Sequence, residues 1–305
     1  WSIAAQCTHP QQAFEARLVR YAGERVEQNV KESRFSFRDG ATAETVRQAL
    51  LAAARAQSRD PATPELIVAG VESKQRQRRA AAPFTHADDR GALLGFSTNR
   101  TMRVAQKLYE GVAIGDEGQV GLITYMRTDS VNLSNDAIAE LRQMIPQRYG
   151  AKALPDAPIV YQSKSKNAQE AHEAIRPSSA LRTQEAVAPF LDADQARLYE
   201  LIWKRTVASQ MAPALLNTVS VELAAGKDNA FRVSGTTVVE PGFLAVYEEG
   251  KDARTEEDDE EGRRLPTMRQ GERVPLDAVI AEQHFTEPPP RYSEASLVKA
   301  LEEHG

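Results

Sequence analysis

A tyrosine and an arginine two residues apart, Tyr125 and Arg127, are the side chains in this sequence best suited to chemistry on a phosphate. In an extended segment, residues two apart leave by the same face. A phenol can act as a nucleophile, and a guanidinium beside it can make bidentate contacts to a phosphate. In water a tyrosine hydroxyl has a pKa near 10, so the attack needs adjacent positive charge. A tripeptide alone carries little information, since a half-buried Tyr beside a solvated Arg has the same pattern.

The element that must position this pair is a short apolar run, Val120 to Ile123, which predicts a strand. The run leads into a hydroxyl-rich, charged segment that ends at Ser130. We therefore expect Tyr125 and Arg127 to lie at the end of an element, where functional residues are often found.

Two further groups of side chains add positive charge. His172 and Arg176 are four residues apart in a segment that ends at Pro177, a spacing that would put both on one face of a helix. As a lone histidine, His172 has the alternative interpretation of a structural surface residue. Residues 74–79 form a basic run, which could also be a solvated strand edge or a linker.

Two long segments, in the same order along the chain, resemble the signatures of type IA DNA topoisomerases. The first is GLITYMRTDS, from Gly121 to Ser130, and the second is AQEAHEAIRP, from Ala168 to Pro177. Further matches at 101–111 and 289–302 extend the resemblance over essentially the whole chain. It looks closest to the bacterial topoisomerase I branch of that family.

The resemblance implies that Tyr125 attacks a backbone phosphate of single-stranded DNA and leaves a 5′-phosphotyrosine and a free 3′-hydroxyl. An intact strand then passes the break, which is resealed, so that negatively supercoiled DNA is relaxed. Arg127 is the second candidate catalytic residue. The candidate DNA-binding residues are His172, Arg176, Lys74, Arg76, Arg78 and Arg79.

The expected cofactor is Mg²⁺, and ATP is not expected. The phosphotyrosine linkage keeps the free energy of the broken bond, and no phosphate loop occurs, because Gly226-Lys227 is followed by Asp228. The family resemblance implies an Asp-x-Asp-x-Glu cluster for magnesium in an N-terminal domain, and this sequence lacks it. Asp192 and Asp194 come nearest, but their place at a predicted helix start favours N-capping over metal binding.

The resemblance therefore implies a fragment that lacks the metal-binding domain and the C-terminal region, with the Mg²⁺ ligands outside this chain. We expect the isolated chain not to turn over and to need the missing domains of the same polypeptide. The sequence also departs from the family at 86–91, where a Thr/Ser/Gln-rich stretch is usual.

The hydrophobic periods predict an α+β fold in which a mostly helical domain, carrying Tyr125, is inserted into a β-rich domain. The predicted limits are 1–84 and 212–287 for the two β-rich halves, 85–211 for the helical domain and 288–305 for the truncated start of a further helical domain. The family resemblance implies that these are parts of a toroidal enzyme.

Individual elements are also predicted from their patterns. Strands are expected at 1–7, 14–20, 66–72, 217–223, 231–239, 243–247 and 274–285. Helices are expected at 43–56 with Thr42 as N-cap, from Ser97 to Gly111, from Ser134 to 145, from Asp192 to about 211, and from Ser293 to the end.

Composition bounds the function class. The 305 residues carry 38 basic and 43 acidic side chains, a net charge of −5 that taken alone argues against a nucleic-acid binder. The charge is unevenly distributed, because residues 256–261 form an acidic run expected to be a solvated loop while 74–79 are basic. One cysteine fits a reducing compartment, and no apolar run approaches the roughly 20 residues of a membrane span. We expect a cytoplasmic, nucleoid-associated protein with no membrane contact.

Two alternatives remain open at this level. The first is a non-enzymatic module for single-stranded DNA, in which Tyr125 stacks on a base and the basic residues follow the backbone. The second is a decatenase similar to topoisomerase III. Covalent trapping of DNA separates the first alternative from an enzyme, whereas the second depends on the flanking domains.

Overall fold

The computed structural model describes residues 1–26, 28–30, 33–35, 37–85, 94–162, 172–247, 264–285, 288, 291, 292 and 297. These residues combine helix and sheet, as predicted, and fall into two compact units. The first unit holds 1–76 and 216–239 together with the described residues of 264–288. The second holds the described residues of 77–215, of 240–247 and of 291–297. No helix in the described part of the chain is long and apolar enough to cross a membrane.

The first unit is built on a sheet that closes on itself. The strands are β1 (Ser2–His9), β2 (Gln12–Tyr21), β3 (Glu24–Arg25), β4 (Gln28–Val30), β5 (Ser33–Phe35), β6 (Glu65–Arg78), β9 (Ala214–Ala224), β10 (Ala230–Glu240) and β11 (Arg273–Glu282). The neighbour order is β1-β11-β6-β9-β10-β2-β3, and β1 also pairs with β2, so six strands form a closed ring. β4 and β5 form a separate hairpin.

Closure follows from strands that are buried on one face. In β1 and β2 alternate residues are buried. The hydrophobic core of the unit takes side chains from these strands and from the other strands of the ring, including Ile3, Leu18, Leu66, Leu223, Phe231 and Val274. Removing these side chains from water is the main force that holds such a ring together.

Helix α1 (Gly40–Gln57) packs against β1 and β11 through Ala43, Val46, Leu50 and Ala54. Those residues follow the helical spacing that the sequence indicates. The predicted N-cap, Thr42, is wrong by three residues. The cap is Asp39, because its carboxylate accepts a hydrogen bond from the Thr42 backbone N–H at 2.7 Å. That interaction holds the pKa of Asp39 below its usual value.

The second unit carries the remaining helices, α2 (Thr98–Glu110), α3 (Asn135–Tyr149), α4 (Gln184–Val187) and α5 (Ala193–Ser209). It also holds a hairpin of β7 (Val112–Ala113) and β8 (Gln119–Val120). Short 3₁₀ turns span Gly115–Glu117, Ala151–Ala153, Ala188–Phe190 and Gly242–Ala245. The predicted caps Ser97, Ser134 and Asp192 are confirmed, the last within a capping box.

Helix α5 is the core element of this unit. Its Trp203 and Tyr199 are among the largest fully buried side chains. The polar group of each donates a hydrogen bond to a backbone carbonyl oxygen. Trp203 Nε1 donates to Ala180 O at 2.9 Å, and the Tyr199 hydroxyl donates to Arg182 O at 2.6 Å. Burial raises the pKa of Tyr199. The polar atoms of these two buried side chains are therefore satisfied, as a stable core requires.

One predicted strand, 243–247, is wrong, because the chain forms a 3₁₀ turn over Gly242–Ala245. Phe243 N donates to Ala212 O at 3.0 Å, so it bonds to a neighbouring segment and not to a sheet ladder. Gly242 has φ +50°, and a Cβ there would lie 2.5 Å from the carbonyl oxygens of Ala212 and Pro213. Only glycine fits this turn.

Several predictions lie outside the described residues. They are the departure from the family at 86–91, the acidic run 256–261 and most of the helix that begins at Ser293.

Candidate active site around Tyr125

The approach to Tyr125 is fixed by the C-terminal end of α2. Leu122 N donates to Leu108 O at 2.7 Å, and a Cβ on Gly121 would lie 2.7 Å from Tyr109 O. Only glycine allows the two backbones to come this close. The predicted strand at 120–123 is therefore shorter than expected, because β8 ends at Val120 and the next residues bond to α2.

The segment that carries Tyr125 is bonded to the second sequence motif. Thr124 N donates to Arg176 O at 2.9 Å, and Arg176 N donates to Thr124 Oγ1 at 3.0 Å. Thr124 Oγ1 also donates to Ala174 O at 2.7 Å. An isolated bridge joins Ile123 to Pro177, and Ser178 N donates to Leu122 O at 2.9 Å. Two stretches some fifty residues apart thus form one piece of structure.

Burial alternates along the Tyr125 segment. Met126 is 1% exposed and Thr128 is 5% exposed, whereas Tyr125 is 50% exposed and Arg127 is also exposed. This is the alternation of an extended chain, so Tyr125 and Arg127 leave by the same, solvent side. The described part of the chain offers the Arg127 guanidinium no hydrogen bond or ion pair. Among the described residues, none competes with an incoming anion for this side chain.

The residues after Arg127 are held by their own hydroxyl groups. Ser130 N donates to Thr128 Oγ1 at 3.1 Å, and Asn132 N donates to Ser130 Oγ at 3.2 Å. Ala174 N then donates to Asn132 O at 2.7 Å. These bonds explain the hydroxyl-rich composition, because side-chain oxygens replace a sheet ladder in holding an irregular backbone.

His172 and Arg176 differ in environment, and the expected common helix face is wrong. Residues 172–176 are not helical, because Ile175 N donates to Phe84 O at 2.9 Å and the backbone of Arg176 bonds to Thr124. The His172 side chain is exposed. The Arg176 side chain is 15% exposed and pairs with Glu173 at 2.8 Å.

Arg176 also bonds to the surrounding backbone. Its guanidinium donates to Pro177 O at 2.8 Å and to Ser134 Oγ at 3.3 Å. Ser134 caps α3, so this arginine links the second motif to a helix N-terminus. These contacts give Arg176 a role within the fold, and a direct contact to DNA stays a prediction.

The basic run is strand and not linker. Lys74, Arg76 and Arg78 lie in β6, and Arg79 follows it. Lys74 and Arg76 belong to the first unit, whereas Arg78 and Arg79 belong to the second. Lys74 and Arg79 are exposed, while Arg76 and Arg78 are half-buried. Their contact with DNA stays a prediction.

Asp192 and Asp194, whose spacing most resembles a metal-binding cluster, cap a helix and pair with an arginine. Asp192 accepts the backbone N–H groups of Asp194 and Gln195 at 3.0 and 2.9 Å, so the predicted capping is confirmed. Asp194 accepts two bonds from Arg100, both at 2.8 Å, and these hold its pKa below the usual value. Among the described residues, no group of three or more His, Cys, Asp or Glu side chains could hold a metal ion.

One residue of the site was missed by the sequence interpretation. Tyr109, at the end of α2, is 41% exposed, and its ring meets the Tyr125 ring edge to face with centroids 5.4 Å apart. The available signal was its place at a helix end, just before the helix-terminating Gly111. The pattern could not reveal that this end lies beside Tyr125.

Comparison with known proteins gives the family. The family model described as DNA topoisomerase matches residues 1–305. DNA topoisomerase 1 of Xylella fastidiosa Temecula1 is 58% identical over the whole chain, which spans 36% of that protein. The enzyme of the same name from Zymomonas mobilis is 43% identical over the whole chain, which spans 23% of it.

A solved structure agrees with these relatives. The full-length topoisomerase I from Thermotoga maritima is 30% identical, with a TM-score of 0.71 over 99% of this chain and 43% of the solved one. The chain spans about a third or less of the curated relatives that it matches in full. The chain therefore belongs to the type IA DNA topoisomerases, within the bacterial topoisomerase I family.

Proposed function

We propose that this chain carries the nucleophile of a type IA topoisomerase, and that this nucleophile is the Tyr125 hydroxyl. The observation that supports the proposal is a half-exposed tyrosine on a segment bonded to the second motif through Thr124 and Arg176. A rigid backbone thus presents a reactive group to solvent. That is the arrangement expected of a nucleophile that must meet a large substrate.

The proposed reaction is a reversible transesterification on single-stranded DNA. The Tyr125 oxygen forms a bond to a backbone phosphorus while the bond to the 3′ oxygen breaks, and the phenolic proton leaves as the 3′-hydroxyl gains one. An intact strand passes the gap, and the 3′-hydroxyl then attacks the phosphotyrosine to restore the backbone. One phosphoester replaces another in each step, so relaxation of negatively supercoiled DNA needs no ATP.

Arg127 is the proposed partner of this step. Its exposed guanidinium leaves by the same side as Tyr125 and has no partner among the described residues. A bidentate contact would stabilise the charge that develops on the phosphate. His172, which is exposed on the neighbouring segment, is the proposed contact to the DNA backbone.

The remaining candidate residues have supporting roles in this proposal. The Arg176 backbone joins the two motifs through Thr124, and the Arg176 side chain bonds to Ser134, the N-cap of α3. Lys74, Arg76, Arg78 and Arg79 attract the DNA backbone, an interaction that weakens as salt rises.

Magnesium is expected to act through residues of the parent protein outside this chain. When bound, Mg²⁺ supplies positive charge that orients and stabilises phosphate oxygens. Among the described residues, no cluster of acidic, histidine or cysteine side chains fits the ion. We therefore expect the isolated 305 residues to bind single-stranded DNA weakly without relaxing a plasmid.

The test uses the full-length parent and negatively supercoiled plasmid. Tyr125→Phe should abolish both relaxation and covalent adducts while sparing DNA binding, because only the nucleophilic oxygen is lost. Tyr149→Phe is the matched control, since it makes the same chemical change on α3 and should relax plasmid normally. Relaxation by Tyr125→Phe would place the nucleophile elsewhere.

A second candidate function is supported by the two half-exposed rings of Tyr109 and Tyr125. Aromatic side chains of this kind can stack on the bases of single-stranded DNA without any chemistry. A stacking module should bind DNA but never form a denaturant-resistant adduct. The decatenase alternative is tested with catenated circles, which a relaxing enzyme should unlink poorly.

A further inference from the structure

We propose that Tyr109 is a positioning residue for Tyr125: its ring holds the Tyr125 side chain in the orientation from which the hydroxyl attacks. The inference rests on the proposed function, since it takes Tyr125 as the nucleophile. It assigns to Tyr109 no contact with DNA and no proton transfer.

The contact itself is specific. The two ring centroids are 5.4 Å apart and the ring planes are inclined by 65°, which is an edge-to-face arrangement. Aromatic rings prefer this geometry, because the positive edge of one ring faces the negative face of the other. Both rings are about half exposed, so the contact is made at the surface and is not forced by core packing.

Backbone contacts hold the two segments that carry these rings close together. The bond from Leu122 N to Leu108 O, at 2.7 Å, ties the end of α2 to the segment just before Tyr125. Gly121 permits this approach, since a Cβ there would lie 2.7 Å from Tyr109 O. Leu108 is fully buried whereas Tyr109 points outward, so the helix end is anchored next to the ring it presents.

For catalysis, the contact should reduce the conformational entropy that the Tyr125 side chain loses when it reaches the transition state. The backbone around Tyr125 is fixed, but a half-exposed side chain still has several rotamers. A neighbouring ring that favours one of them reduces the entropy lost when the hydroxyl must align with a phosphate. An edge-to-face pair changes such an equilibrium by roughly 2- to 12-fold.

The test measures covalent cleavage by the full-length parent with enzyme in excess. The substrate is a single-stranded oligonucleotide labelled at its 3′ end, so the labelled fragment stays on the protein. We expect Tyr109→Leu to slow adduct formation about 3- to 10-fold, with an unchanged dissociation constant for the uncleaved oligonucleotide. Tyr109→Phe keeps the ring and should restore the parent rate within about twofold.

Two controls separate this proposal from others. Phe190→Leu removes another half-exposed ring, 42% exposed, and should leave cleavage unchanged. Tyr125→Phe tests the nucleophile independently, and an adduct in that variant would reject the proposed function whatever Tyr109 does. Thermal unfolding of each variant checks that it is folded.

Three results would overturn the positioning role. The first is cleavage by Tyr109→Leu at the parent rate. The second is a loss of DNA affinity in that variant that matches its loss of rate, which would make Tyr109 a base-stacking residue. The third is an equal loss in Tyr109→Phe, which would mean that the hydroxyl and not the ring is needed.

Discussion

Among the individual residues, Arg127 and Arg176, the arginines of the two motifs, differ in their exposure to solvent and in their bonds to the rest of the fold. Arg127 is exposed and has no partner among the described residues, whereas Arg176 is 15% exposed and bonded to Glu173, Pro177 and Ser134. The first can meet a phosphate without giving up a contact to any described residue. The second would have to break its bonds within the fold before it could bind DNA.

Replacing Arg127 by Lys in the full-length parent should slow cleavage by about 10- to 100-fold. Lysine keeps the charge but loses the planar fork, and a hydrogen bond to a charged group is worth about 1.5–3 kcal/mol. The measurement is the rate of adduct formation with enzyme in excess. Arg59→Lys, at an exposed position in the first unit, is the matched control. A parent-like rate in Arg127→Lys would end the bidentate proposal.

Substitution of Arg176 should lower the stability of the fold, whereas substitution of His172 should not. Arg176→Met should lower the free energy of unfolding by about 1–3 kcal/mol, because Glu173 loses its partner in a mostly buried pair. His172→Ala should change it by less than about 0.5 kcal/mol, since the side chain is exposed. Denaturant titration measures both. If His172→Ala were the more damaging of the two, the assignment of roles would be reversed.

At the scale of elements, the site depends on where three segments touch. The end of α2, the Tyr125 segment and the 172–178 segment are joined by backbone bonds through Leu108, Leu122, Thr124 and Arg176. No long helix or strand carries Tyr125 itself. The rigidity of the site therefore comes from these cross-links.

Gly121→Ala should distort this junction. The new methyl group would meet Tyr109 O at 2.7 Å, so one backbone must move and strain of about 1–3 kcal/mol is expected. Cleavage should fall more than DNA binding, because the displaced atoms are next to Tyr125. Gly70→Ala in β6 is the control, as a Cβ there meets nothing within 4 Å. Equal activity of the two variants would mean that the close approach does not matter.

Much of the element pattern could be predicted from local sequence. Ser97, Ser134 and Asp192 were identified as caps because a cap is decided by a few neighbouring residues. The errors arose where distant contacts decide. The 3₁₀ turn at Gly242–Ala245 depends on Ala212, and the non-helical conformation of 172–176 depends on Phe84 and Thr124. The Tyr109 contact was missed for the same reason.

In the molecule as a whole, the closed sheet of the first unit encloses a hydrophobic core, and the single cysteine of the chain, Cys7, belongs to that core. Cys7 lies in β1, is 1% exposed, and burial raises its pKa to about 12. The thiol is therefore both covered and protonated at neutral pH. A raised pKa means that its contribution to stability is complete below the unfolded value near 9 and is lost as pH rises toward 12.

Cys7 should consequently resist alkylation in the folded protein. With a maleimide at pH 7.5, we expect the Cys7 peptide to be labelled at least about 100-fold more slowly than in denaturant. Peptide mapping by mass spectrometry identifies the site even if the parent contains other cysteines. Rapid labelling under native conditions would contradict the closed, buried ring of strands.

The most direct measurement of the central claim is the chemical identity of the protein–DNA link. Full-length parent is incubated with a single-stranded oligonucleotide, denatured and digested, and the nucleotide-bearing peptide is sequenced by mass spectrometry. We expect a peptide that contains Tyr125, joined through its hydroxyl to a 5′-phosphate, and no such peptide from Tyr125→Phe. A nucleotide attached to another residue, or to Tyr125 through a 3′-phosphate, would contradict it.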